Sequence, residues 1–122
     1  MKKIVIGGQI DKDLIEKKVR EIAGDRLIVE VKNDLDAAMA MKNGEYDYYL
    51  GACITGGGGA LAMAIALVGR DLCSTVSMPG VIKDDEYIVN EVKSGKKAFG
   101  FTAQHIDQVV PVIIKEILEE EK

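Results

Sequence analysis

A glycine follows each of four helical segments and precedes the next apolar run: Gly24, Gly44, Gly69 and Gly95. A glycine just past the last periodic residue is how helices commonly end. Its recurrence constrains the fold more than any other feature of the chain. Strands that alternate with helices over short connections form right-handed βαβ units and a parallel sheet. Strands are expected at 4–6, 27–31, 48–53, 73–77 and 98–101, and helices at 11–23, from 33 or 34 to 41, at 60–68, 84–93 and 103–119. In the first helix Leu14, Ile15, Val19 and Ile22 recur at helical spacing behind Asp11, a candidate N-cap. Pro111 falls inside the last helix, where it removes a hydrogen bond.

The fold class that follows is α/β, a three-layer α/β/α sandwich around a five-stranded parallel sheet of Rossmann-like order 2-1-3-4-5. The 122 residues suffice for one domain, 1–122. A hydrophobic fraction of 48% with 30% charged residues excludes a disordered tail and a membrane bundle. A formal net charge of -4, with acids and bases interspersed, argues against nucleic acid as the partner. The longest apolar stretch, 60–68, is well short of the roughly 20 residues that span a bilayer. The apolar run at 4–6 is too short for a signal peptide, and two cysteines are too few for a disulfide framework. A cytoplasmic, reducing location is expected.

In an open parallel sheet, ligands sit outside the carboxyl ends of the strands where the strand order reverses. Here that crevice lies between strands one and three. Gln9, Asn33, Lys83, Thr102 and His105 all fall on the loops at this edge and are candidate ligand-binding residues. The run Gly56-Gly57-Gly58-Gly59 is the most informative of these loops. Four glycines forgo about 2–4 kcal/mol relative to alanine, so a bare backbone must be required there. It could be a nest of N–H groups aimed at an anion, or close packing against a neighbouring helix or subunit. Gly57-x-Gly59-x-x-Ala62 fits the loose dinucleotide pattern but follows the third strand without the expected acidic residue, and no Lys-Ser or Lys-Thr completes a Walker loop.

Cys53 ends its strand beside this loop, where a helix N-terminus stabilises a thiolate. The competing reading is a buried filler. Thr55 could donate to a substrate oxygen. Cys73 begins its strand, so the two cysteines belong at opposite edges of the sheet, and Cys73 reads as a small buried hydrophobe. His105, the only histidine, could hold a phosphate or move protons, or could simply face solvent. No second histidine or carboxylate cluster accompanies it, so neither a metal nor a cofactor is expected. Asp84-Asp85-Glu86 reads as a solvated helix start and Glu119-Glu120-Glu121 as a frayed end.

The helix at 60–68 has no polar residue. One sheet face can bury only part of it, which predicts a homo-oligomer, a dimer, packed through this helix; the alternative is burial under flanking helices of the same chain.

Lys2-Lys3-Ile4, Asn33-Asp34-x-x-Ala37-Ala38-Met39, Asp47-Tyr48-Tyr49-x-Gly51-Ala52-Cys53-x-Thr55-Gly56 and Ala98-Phe99-Gly100 resemble the YhfU-like bacterial proteins of unknown function over nearly the whole chain. Over one βα unit, Cys53-x-Thr55-Gly56-x-Gly58 followed by Met63-Ala64-Ile65-Ala66 is similar to sugar-phosphate isomerases of the ribose-5-phosphate isomerase B type. That similarity implies Cys53 as proton-transferring base, Thr55 as its helper and Gly56 to Gly58 as an anion cradle. The chain departs from that family at Gly7-Gly8-Gln9, where an Asp-His pair would stand, and Arg70 precedes strand four at the wrong edge for a phosphate ligand.

The expectation is a protein that binds a small anionic metabolite, such as a phosphosugar, at the glycine-rich loop. The alternatives are a non-catalytic assembly or regulatory subunit and, more remotely, a cysteine phosphocarrier.

Overall fold

The computed structural model describes residues 1–54 and 61–121. Its elements run β1 (Lys3–Gly8), α1 (Lys12–Ala23), β2 (Ile28–Val31), α2 (Asp34–Lys42), β3 (Tyr48–Cys53), α3 (Ala62–Val68), β4 (Cys73–Thr75), β5 (Ser77–Met78), β6 (Val81–Ile82), α4 (Asp85–Lys93), β7 (Ala98–Thr102) and α5 (Ile106–Glu120). Five strands pair in parallel in the order β2-β1-β3-β7-β4, and β5 and β6 form a small antiparallel hairpin. The three-layer, Rossmann-like α/β class is therefore present, with an open sheet between two helical layers.

The order of the last two strands differs from the expected 2-1-3-4-5. The C-terminal strand β7 inserts between β3 and β4. Burial explains the exchange. All of β7, Ala-Phe-Gly-Phe-Thr, is buried, as suits a strand covered on both faces. By contrast β4 has three residues and carries Ser74, whose hydroxyl donates to Glu91 Oε1 at 2.8 Å. A short, polar strand is tolerated at an edge. The expected fourth strand also ends early: β4 stops at Thr75, and Ser77 and Met78 pair instead with Ile82 and Val81 across the Pro79-Gly80 turn.

Alternation along the strands sorts the core into two clusters. Ile4, Ile6, Leu50, Ala52, Phe99 and Phe101 face α1, α4 and α5. Val5, Tyr49 and Ala98 face α2 and α3, with Ala37, Ala40, Leu61 and Ala64. The small helical residues let α2 and α3 approach the sheet closely. At the β2 edge Arg20 Nη2 donates to Val29 O at 2.8 Å, and just past the strand Lys12 Nζ donates to Lys32 O at 3.2 Å. Such caps oppose edge-to-edge pairing.

The helix ends follow local chemistry. Asn33 and Asp84 cap α2 and α4, accepting from Asp36 N and Tyr87 N. Asp11 does not cap α1 with its side chain, contrary to expectation. The four junction glycines all have positive φ. A 3-10 turn, Ala103–His105, precedes α5, and Pro111 lies within that helix. The terminal acidic run is not simply frayed, because Glu121 Oε1 accepts from Lys2 N at 2.7 Å and ties the helix end to the start of β1. Among the described residues, no helix is long and apolar enough to cross a membrane.

Candidate functional site

The carboxyl ends of β1, β3 and β7 meet at one rim. Register aligns Gly8 with Ala52 and Ala52 with Phe101, and at the next position Cys53 pairs with Thr102. Because β7 and not β4 adjoins β3, the strand exchange brings the β7–α5 junction to the crevice, and the hairpin that carries the Pro79–Lys83 turn packs on the other side of β7 through Ser77. Thr102 and His105 thereby become central. Lys83 lies outside this centre, its ammonium 5.0 Å from the centroid of the Tyr87 ring.

On the β1 side, the protein fills its own crevice. Asp34 Oδ1 accepts from Gly8 N at 3.1 Å and from Tyr49 Oη at 2.5 Å. Burial, then the hydrogen bond to Asp34, pushes the Tyr49 phenol well above its ordinary range. Gly8 has φ 79°, and a Cβ there would lie 2.6 Å from Ala52 N, so the two strands touch backbone to backbone. Gln9 N and Ile10 N both donate to Ala52 O, at 2.9 and 3.4 Å. The Gln9 side chain remains exposed. Asn33 is engaged on both of its polar atoms by Asp36, so its side chain serves the helix start.

On the β3 and β7 side the arrangement is the reverse. Thr102 is 1% exposed, and its N–H donates to Ser77 Oγ at 3.0 Å. Among the described residues, the two buried side-chain polar atoms with no hydrogen-bond partner are Thr102 Oγ1 and His105 Nδ1. Both belong to the same four-residue junction. A buried polar atom without a partner costs about 1–3 kcal/mol, and native proteins hold few of them. Alternation places Thr102 and Cys53 on the α2/α3 face, and Cys53 is 1% exposed. Thr55 and Gly56 to Gly59 lie outside the described residues.

Cys73 pairs with Ala98 while Cys53 pairs with Thr102, so four residues of β7, roughly 13 Å of strand, separate their levels in the sheet. The opposite-edge reading holds, and a disulfide is out of reach. Cys73 is half-buried, its thiol donating to Gly69 O at 3.3 Å, and burial pushes its pKa up. Beside the junction, a groove of about 240 Å³ runs between α1 and α5, lined by Leu14, Lys17, Gln104 and Asp107 among others. Its Lys18 is held by Asp107 at 3.2 Å.

Sequence reasoning missed Tyr49 and Ser77, and it assigned Asp34 only an alternative capping role. An aspartate directly after a capping Asn was the available signal for Asp34. The partners of Tyr49 and Ser77 are long-range and leave no local signature.

The open parallel sheet, with helices on both faces and its crevice outside the ends of β1, β3 and β7, defines a doubly wound α/β protein. Residues 2–117 match the family described as "Protein of unknown function DUF2620", and the chain belongs to that family. It is 38% identical over 117 residues to the "Uncharacterized protein YhfU" of Escherichia coli (strain K12), covering 96% of this chain and 99% of that relative. The proteins of the same name from Escherichia coli O6:H1 and Shigella flexneri match with the same figures. No solved structure matches the chain.

Proposed function

We propose that the protein binds a small anionic metabolite at the carboxyl rim of β3 and β7, with Thr102 Oγ1 and His105 Nδ1 as donors. The observation that carries this reading is the pair of buried, unpartnered polar atoms in one junction. A ligand oxygen that accepts from both removes a desolvation cost the free protein bears.

The charge distribution supports an anion at this position. The first turns of α2 and α4 already hold Asp34, Asp36, Asp85 and Glu86, which complement their own helix dipoles. The turn that opens α5 has neither a side-chain cap nor an acid before Asp107, and Asp107 is paired with Lys18. Phosphosugars are the natural probes, since a phosphate presents several acceptor oxygens at once. A thermal-shift panel of inorganic phosphate, sulfate and sugar phosphates tests the reading: ligand at 100 times its Kd adds about 2.7 kcal/mol. A shift in the native protein that His105→Ala abolishes supports it, and no shift with any member of the panel overturns it.

A second reading, assembly through the α2/α3 layer, has its own observation. Leu35, Met39 and Met63 are 51%, 40% and 38% exposed, Leu35 and Met39 being one turn apart on α2, and Ala62 and Ala66 of α3 are exposed as well. With Arg20 capping Val29 O on the β2 edge, this exposed apolar layer is the surface that supports a homodimer. Sedimentation at micromolar concentration tests it: a dimer that Met63→Glu dissociates supports the reading, and a monomer contradicts it.

A further inference from the structure

We infer that two copies of the chain pair through antiparallel α2 helices, pivoting on Met39, so that Asp36 meets Lys42 of the partner subunit and Leu35 enters a hollow at the partner's helix ends. This deepens the assembly reading above and rests on it.

The outward stripe of α2 is short and graded. Leu35, Asp36, Met39 and Lys42 are exposed, while Ala37, Ala38, Ala40 and Met41 are buried. Along the stripe an acid in the first turn gives way to two apolar side chains and then to a base in the last turn. Neither Asp36 nor Lys42 enters an ion pair among the described residues, and Asp36 accepts only a neutral amide N–H from Asn33 there.

Two identical layers packed face to face about a twofold axis have two limiting arrangements for this helix. With α2 parallel to its mate, acid lies beside acid and base beside base, and the helix dipoles repel. With α2 antiparallel, both like-charge contacts become opposite-charge contacts and the dipoles attract. Asp36 and Lys42 each lie three residues from Met39, so an axis at Met39 aligns both cross-pairs at once.

The same axis carries Leu35, four residues before Met39, to the level of the partner's Asn43, four residues after it. At that level the structure has a hollow of about 270 Å³ between the ends of α2 and α3, lined by Met41, Lys42, Gly44, Leu67 and Val68 among others. Leu35 is half-exposed, and the hollow offers it apolar walls. Charges, side chain and hollow thus agree on one register, and symmetry makes each contact twice.

Asp36→Lys and Lys42→Asp test this arrangement, because either variant alone turns both cross-pairs repulsive, whereas a mixture of the two makes both attractive. Self-association is measured by sedimentation at low ionic strength, where exposed charges are least screened, with circular dichroism as the check on folding. The expected result is a dimer dissociation constant raised about tenfold in each charge variant, near-native affinity in their equimolar mixture, and a weaker dimer in Leu35→Ala as well. Should Asp36→Lys fold poorly, Lys42→Asp and Leu35→Ala carry the test. If the charge variants or Leu35→Ala self-associate as the native protein does, or the mixture recovers nothing, this pairing is overturned while assembly through the α2/α3 layer stands. If the native protein is a monomer at micromolar concentration, the assembly reading itself fails and this inference with it.

Discussion

Cys53 on β3 and Thr102 on β7 are register partners at the last paired position of two interior strands, so a thiol and a hydroxyl stand side by side on the face covered by α2 and α3. Their backbones are held from opposite directions. Thr102 N–H is tied to the hairpin through Ser77, while the strand that carries Cys53 is locked to β1 by the bonds at Ala52 O. Both strand ends are thus tied by hydrogen bonds of their backbone groups to neighbouring segments.

Ser77 is the anchor of the β7 end. Its hydroxyl accepts the Thr102 N–H in a buried bond of 3.0 Å, so Ser77→Ala strands a buried donor. A loss of about 1–3 kcal/mol in urea unfolding is expected, whereas Ser77→Thr, which keeps the acceptor, loses less.

The two glycines that end β1 respond differently to alanine. At Gly7 a Cβ meets Tyr49 Cε2 at 2.6 Å and Ala37 Cβ at 2.8 Å, overpacking worth about 1–3 kcal/mol. At Gly8 it meets the Ala52 backbone at 2.6 Å with φ 79°, where no side chain can move aside. Gly8→Ala is the more destabilising of the two in denaturant midpoint, and the reverse order would contradict the register.

Stability falls on the alkaline side. Burial, then the hydrogen bond to Glu30, raises Tyr46 from an ordinary 10.0 to about 12, and Tyr49 is raised further by burial and Asp34. Both phenols stay protonated in the folded state while the unfolded chain ionises. Their contribution is complete below pH 10 and is lost as the pH rises toward 12. The urea midpoint is expected to hold at pH 8–9 and decline between pH 10 and 12, and the decline is smaller in Tyr49→Phe. A flat profile would contradict the burial.

Cys73 is a poor nucleophile. Burial raises its pKa despite Lys96 and Arg70 nearby, and the thiol donates to Gly69 O. At pH 8 its alkylation by iodoacetamide, followed by peptide mass mapping, should be slower than that of glutathione. A faster rate would mean that the strand start is exposed.

Much of this architecture was readable from residues that act locally. Gly24, Gly44, Gly69 and Gly95 marked the helix ends, and Asn33 and Asp84 announced two helix starts, because capping is decided within four residues of chain. The neighbour of β3 was less legible, since the order along the chain does not say which strand is covered on both faces. Ser74 and Thr75 against Phe99 and Phe101 held that information. The site divided along the same line. Thr102 and His105 were identifiable as rim residues from topology, but whether a hydroxyl finds a partner is a tertiary matter. The Asp34–Tyr49 bond spans 15 residues and was invisible. Asp11 looked like an ordinary cap by residue type, and only its backbone angles set it apart.

The account turns on the Thr102 hydroxyl being reserved for a ligand, and Thr102→Val tests that most directly, because valine keeps the shape and deletes the unpartnered oxygen. Paired melting curves of native and variant protein, with and without glucose 6-phosphate, are predicted to show the unliganded variant more stable by about 1 kcal/mol and insensitive to the compound. A variant that melts lower than the native protein and still shifts fully with the compound would contradict the account.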